Sequence, residues 1–460
     1  MIKKILLLSL VASQLIVSCS SDDSPTDPTT DPTKELTLEE QIANLVKQPY
    51  SKLTPTEQKA KLEVEANEML VQLDKSKSSG AIEAFENLNR LLEVSPIDIF
   101  DGKSTNGVEE ALTVSGVYGV YTWNNTDKKW AKTASTTELK FVFPAKKSQT
   151  ANNAILSSKS TSSDIKVSNI DTYGEWGYNE TTDQYGQISP DINDWFYLPT
   201  SVDAVLTIDG NSSATFTQTA KYSNGKQVPN EFAYKMTLND GYTWEMSGTK
   251  AVANTSKASF TYNGKSLIEF TGGSSTQVDA LFDNDALVQY RGKANGAIKI
   301  MDNFIIVADM DLATAAADDA ALEKSNVRPT YPDYNTPNID FKAYYNSVNA
   351  YEKKYSEATA ANYNKNMKLI LVSKKDGTKI ADLVQVSEKA GDDYVFNLPV
   401  WNAESGYYTN NGDLFSQPYL EEVIYLKFSD DTKVAMSAYF SEGFEKLEAK
   451  ITDFTKAFNK

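Results

Sequence analysis

The side chains on which most hydrolases rely are missing from this chain: histidine is absent, and Cys19 is the only cysteine in 460 residues. Ser-His-Asp and Cys-His relays, HExxH zinc hydrolysis and imidazole-held copper or iron are thereby excluded. What remains is chemistry run on carboxylates, lysine, tyrosine or serine-lysine pairs, with hard cations such as calcium as the metals that oxygen ligands can hold. Acidic residues number 62 and gather at Asp191-Ile192-Asn193-Asp194, Asp283-Asn284-Asp285, Asp309 with Asp311, Asp318-Asp319 and Asp392-Asp393. None of these clusters has both the central glycine and the distal glutamate of a calcium loop, so they read as solvated loop acids. No metal and no cofactor is expected.

A glycosidase needs only two carboxylates roughly 5 to 9.5 Å apart, one of them kept protonated by burial. No acid here sits in a motif that marks such burial, and no GxSxG, Walker-type or GxGxxG element stands where a strand leads into a helix. No catalytic residue is assigned, and a carboxylate-pair glycoside hydrolase stays as an alternative reading.

Tyrosine is overused, with 25 residues, and concentrates in two stretches punctuated by glycine and proline. The first holds Tyr173, Trp176, Tyr178, Tyr185, Trp195, Phe196 and Tyr197; the second holds Tyr331, Tyr334, Tyr344, Tyr345, Tyr351, Tyr355 and Tyr363. Amphipathic rings on loops beside Asn and Asp suit a sugar platform, since a ring face covers C–H surface while amides and carboxylates take the hydroxyls. Tyrosines also pack sheet edges and helix stripes, and spacing alone explains Tyr344 to Tyr355. The candidate ligand-binding residues are therefore Tyr173, Trp176, Tyr178, Tyr185, Trp195 and Tyr197.

The N-terminus carries an address. Lys3-Lys4 precede an almost wholly apolar run from Ile5 to Val17, followed by Ser18 and Cys19. That run falls short of the roughly 20 residues of a membrane-spanning helix and has the charged, apolar and small-residue order of a signal peptide. With Ser20-Ser21-Asp22-Asp23 behind the cysteine, the segment resembles the lipobox and export signal of surface-exposed Bacteroidetes lipoproteins. The resemblance covers about 23 residues and carries over no catalytic position. It implies a diacylglyceryl thioether on Cys19 plus an acylated amine, three acyl chains where about two make a stable anchor, and display at the outer membrane facing the cell surface.

Loss of residues 1–18 removes two lysines and no acid, moving the formal charge from −17 to −19. An acidic surface repels phosphate backbones and anionic headgroups, which disfavours nucleic acid and polybasic-type membrane docking alike, and no nucleic-acid partner is expected. The expected partners are the membrane, through the anchor, and polysaccharide or another cell-envelope protein. The expected role is non-catalytic binding or assembly; a carrier sheltering hydrophobic cargo in a curved sheet is a further alternative.

The elements that must position these residues are legible in outline. Residues 1–18 form the signal peptide, and the Pro-, Thr- and Asp-rich residues 19–35 a lipidated flexible tether. In 36–97, Thr37 with Glu40 and Thr54 with Glu57 have capping-box spacing, with Pro55 at a first helical position. Leu62, Ala66, Met69, Leu70 and Leu73, then Ile82, Phe85, Leu88, Leu91 and Leu92, recur at intervals of three and four, which predicts a helical hairpin. Residues 98–320 alternate apolar with polar and are broken by Asn224-Gly225, Asp240-Gly241 and Asn263-Gly264, which predicts antiparallel meanders. Residues 321–460 mix a helix over Asp340 to Tyr355, hairpins turning at Asp376-Gly377 and near Asp430-Asp431, and a closing helix with Ser441 as cap and Phe444, Leu447, Ile451, Phe454 and Phe458 on one side. The fold class is α+β, mainly antiparallel β (a large meander sheet, sandwich or open barrel), with an N-terminal helical hairpin and a C-terminal helix.

Overall fold

Both capping boxes form. Thr37 and Thr54 accept from the N–H groups of Glu40 and Glu57, whose carboxylates accept from the threonine N–H groups in return. They start α1 (Leu38–Val46) and α2 (Pro55–Asp74); Ser79 caps α3 (Gly80–Val94) after a single 3-10 turn. This computed structural model describes residues 37–99, 112–172, 174–301 and 303–440, with Phe444 and Ala449.

The alternating segments become strands: β1 (Gly119–Asn124), β2 (Lys129–Thr133), β3 (Leu139–Phe143), β4 (Ala154–Thr172), β5 (Trp176–Asn179), β6 (Gln184–Gln187), β7 (Ile192–Ile208) and β8 (Asn211–Lys221). There follow β9 (Glu231–Leu238), β10 (Tyr242–Thr249), β11 (Asn254–Tyr262), β12 (Lys265–Ser274), the short α4 (Val278–Asp283), β13 (Lys293–Ile300) and β14 (Phe304–Asp311). After α5 (Leu312–Ser325) and α6 (Phe341–Asn366) come β15 (Met367–Ser373), β16 (Thr378–Lys389), β17 (Tyr394–Asn397), β18 (Val400–Asn402), β19 (Tyr407–Thr409), β20 (Leu414–Gln417), β21 (Leu420–Lys427), β22 (Lys433–Ala435) and α7 (Met436–Tyr439).

Sixteen strands form one sheet, in the order β2-β1-β3-β4-β7-β8-β9-β10-β11-β12-β13-β14-β15-β16-β21-β22. Every pairing is antiparallel except β1 with β3. The expected turns are present: Asn263 and Gly264 both take positive φ, as a two-residue hairpin of matching twist requires. The architecture is α+β and mainly antiparallel, with the helical hairpin at one end of the chain and the short α7 near the other. The predicted closing helix over 441–458 lies outside the described residues apart from Ala449 and from Phe444, which is buried in the core.

Sixteen strands at about 4.8 Å spacing would span roughly 70 Å if flat, whereas α2 is only about 30 Å long. Yet the hairpin touches the sheet all round. Asn87 donates to the Pro144 carbonyl beyond β3, Tyr242 at the start of β10 donates to the Gln72 carbonyl, and Lys265 at the start of β12 pairs with Glu68. Lys375, between β15 and β16, reaches Glu65, and Tyr439 of α7 donates to the Pro55 carbonyl. The sheet therefore curls around the hairpin as an open barrel, its edges β2 and β22 unpaired with each other. Leu73, Phe85, Leu88 and Leu91 share one core with Phe141, Leu206, Phe216, Phe260, Leu371 and Leu426.

The two faces of β14 and β15 show how completely this works. Ile306 and Leu371 point at the hairpin, while Ile305, Val307, Ile370 and Val372 lie beneath Ile42 of α1 on the other face. Strands buried on both faces read as continuous apolar runs, which is what Phe304 to Val307 and Leu369 to Val372 are.

The registers also separate the two ends of the sheet. At one end, called here the base, strands join through short turns such as 209–210, 239–241, 263–264 and 374–377. The hairpin contacts at Pro144, Tyr242, Lys265 and Lys375 lie at this end. The other end, the rim, receives the large connections: 174–191, 275–292, 312–366 and 390–419. The four longest of the described connections between strands of the sheet thus share one end.

Candidate functional site

Two structures project from the rim. The first is an arm. β3 pairs with β4 only as far as Ser158, and β8 with β7 only as far as Ser201. Beyond those points β4 and β7 continue together to the pair Thr172 and Ile192, about 30 Å further at roughly 3.3 Å per residue. Three register shifts interrupt the pairing, the widest leaving residues 163–165 of β4 facing a single residue of β7. Bulges of this kind sharpen twist and re-aim a strand. The stem is pinned near its root: Ser115 Oγ donates to the Tyr197 carbonyl at 2.6 Å, and the Tyr222 hydroxyl donates to the Pro199 carbonyl at 3.2 Å. Burial pushes the Tyr222 hydroxyl up to about 12.

One face of the stem continues the interior. Ile165 and Val167 are buried, and Phe196, opposite Val167, packs on the main core. Strand alternation then sends Trp195 and Tyr197 to the other face, 55% and 39% exposed. Lys166 lies beside them with Nζ 5.1 Å from the Trp195 ring centre.

At the tip, β5 and β6 form a separate two-stranded ribbon. Its register pairs Trp176 with Gln187, Gly177 with Gly186 and Tyr178 with Tyr185. Cross-strand partners share a face, so Trp176, Tyr178, Tyr185 and Gln187 lie on one side and the two glycines on the other. The three rings are between 56 and 72% exposed. Asp183 accepts the Tyr178 hydroxyl, and that hydrogen bond holds the phenol above its ordinary value. The ribbon is fastened at its foot: Asp191 accepts from the Gly174 N–H and from Gln187, and Ser189 Oγ accepts from the Glu175 N–H.

Of the residues singled out from sequence, Trp176, Tyr178 and Tyr185 come together on the ribbon, and Trp195 and Tyr197 on the stem that carries it. Tyr173 and Cys19 lie outside the described residues. Gln187, which shares the ring face, and Gly174, which allows the close turn at the foot, carried no sequence signal beyond their neighbourhood.

The second projection is a lobe built from 331–345 and 390–419. Phe341, Leu398 and Phe415 are its buried centre, ringed by Tyr344, Tyr345, Phe396 and Tyr408. The Tyr408 hydroxyl donates to the Thr336 carbonyl at 2.8 Å and accepts from the Ile339 N–H. Burial pushes the Tyr334 hydroxyl up to about 12. The second tyrosine stretch thus splits between a helix stripe, where Tyr351 stacks on Tyr355, and a small aromatic core whose other half lies in 396–415. A groove of about 390 Å³ runs beside the lobe between α6 and the rim ends of β16 and β21. Its charged walls are already engaged: Lys353 with Glu357, Lys389 with Asp393, and Glu388 with the Tyr425 hydroxyl.

The acidic clusters serve local structure. Asp311 caps α5 through the Thr314 N–H, a hydrogen bond that holds its carboxyl below the usual range. Asp318 is held low by Lys365 and then Asn366, joining α5 to α6. Asp283 pairs with Lys226 and Asp393 with Lys389. Among the described residues no group of three or more acids is gathered as a metal centre would require, and no helix is long and apolar enough to cross a membrane.

In comparison with known proteins, no family model, no curated protein and no solved structure matches this chain.

Proposed function

We propose that this protein is a lipid-anchored outer-membrane protein facing the cell surface, with a non-catalytic role in which the arm binds polysaccharide. One observation carries the reading: Trp176, Tyr178 and Tyr185 share an exposed face of a ribbon held outside the core, with an amide among them and two glycines behind. Exposed clusters of large rings are uncommon on a protein that has no use for them. Stacking against sugar C–H faces removes that apolar surface from water, while Gln187 and the nearby carboxylates meet hydroxyls. The concave side of the sheet, which an enclosed cargo would need, is occupied by the protein's own hairpin. That occupancy favours surface binding over transport of a hydrophobic molecule.

The test is retardation of the full-length protein, purified in detergent, through native gels containing soluble polysaccharides. Trp176→Ala with Tyr185→Ala, and separately Trp195→Ala with Tyr197→Ala, should each abolish or sharply weaken retardation without changing mobility in a blank gel. Parent protein that runs unretarded on every polysaccharide tried, or variants retarded as strongly as the parent, would overturn the reading.

A further inference from the structure

We infer that the ring-bearing ribbon selects uncharged polysaccharide and rejects polyanionic chains of the same backbone. This rests on the polysaccharide reading above and narrows it to a ligand class. No lysine or arginine occurs between Lys166 and Lys221, a stretch that contains the whole ribbon and most of the arm. Within 174–191 the same stretch places Glu175, Glu180, Asp183 and Asp191, all exposed. Asp183 and Asp191 accept hydrogen bonds from Tyr178, Gly174 and Gln187, none of which is a cation. Lys166 sits on the stem against Trp195.

A uronate or sulfated chain laid on the rings would therefore bring its charges alongside carboxylates with no cation interposed on the ribbon. Like charges within a Debye length, about 8 to 10 Å at physiological salt, repel each other. Hydroxyls meet no such penalty and can donate to the same carboxylates. The ring face also carries no aliphatic side chain, unlike the lobe, where Val395 and Leu414 are exposed. A surface of rings and an amide suits a flat hydroxylated ring better than the mixed apolar surface of a protein partner.

The experiment uses matched neutral and charged derivatives: hydroxyethyl and carboxymethyl cellulose, dextran and carboxymethyl dextran, starch and carboxymethyl starch. In native gels at low salt, at least one neutral member should retard the full-length protein, and its carboxymethyl counterpart about tenfold less. Added salt should leave the neutral interaction unchanged and strengthen the charged one, the reverse of binding driven by counterion release. Glu175→Lys with Glu180→Lys should gain retardation on the carboxymethyl chain at low salt. If the carboxymethyl chain binds the parent as well as its neutral counterpart does, the selectivity is wrong while the polysaccharide reading stands. If no member of any pair binds, both fall.

Discussion

The backbone N–H of Gly174 donates to the Asp191 carboxylate, and this bond closes the segment that carries the ribbon. A Cβ at 174 would overlap Gln187 Nε2 and the Ser189 carbonyl oxygen. The amide side chain can swing away, but the carbonyl belongs to the backbone that forms the ribbon's foot. Gly174→Ala should therefore re-aim the ribbon and reduce polysaccharide retardation as much as removal of its rings. The ribbon contributes nothing to the main core, so the urea midpoint should shift by less than about 0.5 kcal/mol equivalent. A native gel and a urea titration on one preparation check both halves, and full retardation would show that ribbon orientation is immaterial.

Leu88 is fully buried where α3 meets the sheet. Leu88→Ala should cost about 2 to 5 kcal/mol, the range for a large-to-small change in a core that collapses only partly. Because hairpin and sheet share that core, helical circular dichroism and the fluorescence of Trp123 and Trp130 should lose their native values in one coincident urea transition. A helical transition that precedes the fluorescence change would mean that helices come apart before the core around Trp123 and Trp130 does.

Local rules wrote themselves into the sequence plainly. Thr37 with Glu40 and Thr54 with Glu57 became capping boxes, and Asn263-Gly264 became a turn, because each depends on neighbours within a few residues. Periodicity also showed which side of α2 and α3 is apolar, but it is silent on what covers that side. The answer, a sheet wrapped round the hairpin, depends on pairs such as Gln72 with Tyr242 that are far apart in the chain. The aromatic stripe marked a helix from Asp340 to Tyr355, whereas α6 runs on to Asn366. Its last turns bury Ser356 and Ala360, residues too small or polar to register as a stripe. The stem of the arm was hidden for a similar reason. Ser157 to Asp164 is mostly serine, a loop-like composition that becomes strand because β7 pairs with it, joined by β3 at Ser157 and Ser158. The ring cluster itself could be read from residue types, while its flat, one-sided arrangement required the register of Tyr178 with Tyr185.

Asp318 links α5 to α6 through Lys365 and Asn366 and is held below its ordinary value of 3.8, chiefly by the Lys365 hydrogen bond. A carboxylate with a lowered folded-state pKa favours folding above its unfolded value, and that contribution is lost as pH falls below 3.8 through the folded pKa. Asp318→Asn should lower the urea midpoint at pH 6, and the gap from the parent should close near pH 3. The effect should also shrink in high salt, since the pair is solvent-exposed. A gap that is the same at both pH values would assign the loss to the amide's shape instead of the charge.

The place where the chain enters the fold bears on how the arm is used. Leu38, the first residue of α1, packs beside Gly273, next to the rim end of β12. If Cys19 carries the anchor proposed above, the chain from it would reach the body at the same end as the arm and the lobe. At the roughly 3.1 Å per residue of an extended chain, 18 steps from Cys19 to Thr37 would allow a reach of up to about 55 Å, beyond the roughly 30 Å of the arm. On the lipid-anchored, polysaccharide-binding reading proposed above, that surplus would let the rim stand clear of the bilayer while the arm engages its ligand. Deleting residues 24–33 keeps Cys19 to Asp23 and leaves a reach of about 25 Å, shorter than the arm. Cells carrying this variant should be labelled by the protein at the surface as before but should capture several-fold less fluorescent neutral polysaccharide. The same variant extracted in detergent should show parental retardation in the gel, since its ribbon is untouched. Undiminished capture by cells would mean that the arm does not share the anchored end, and reduced retardation in detergent would place residues 24–33 in the binding surface itself.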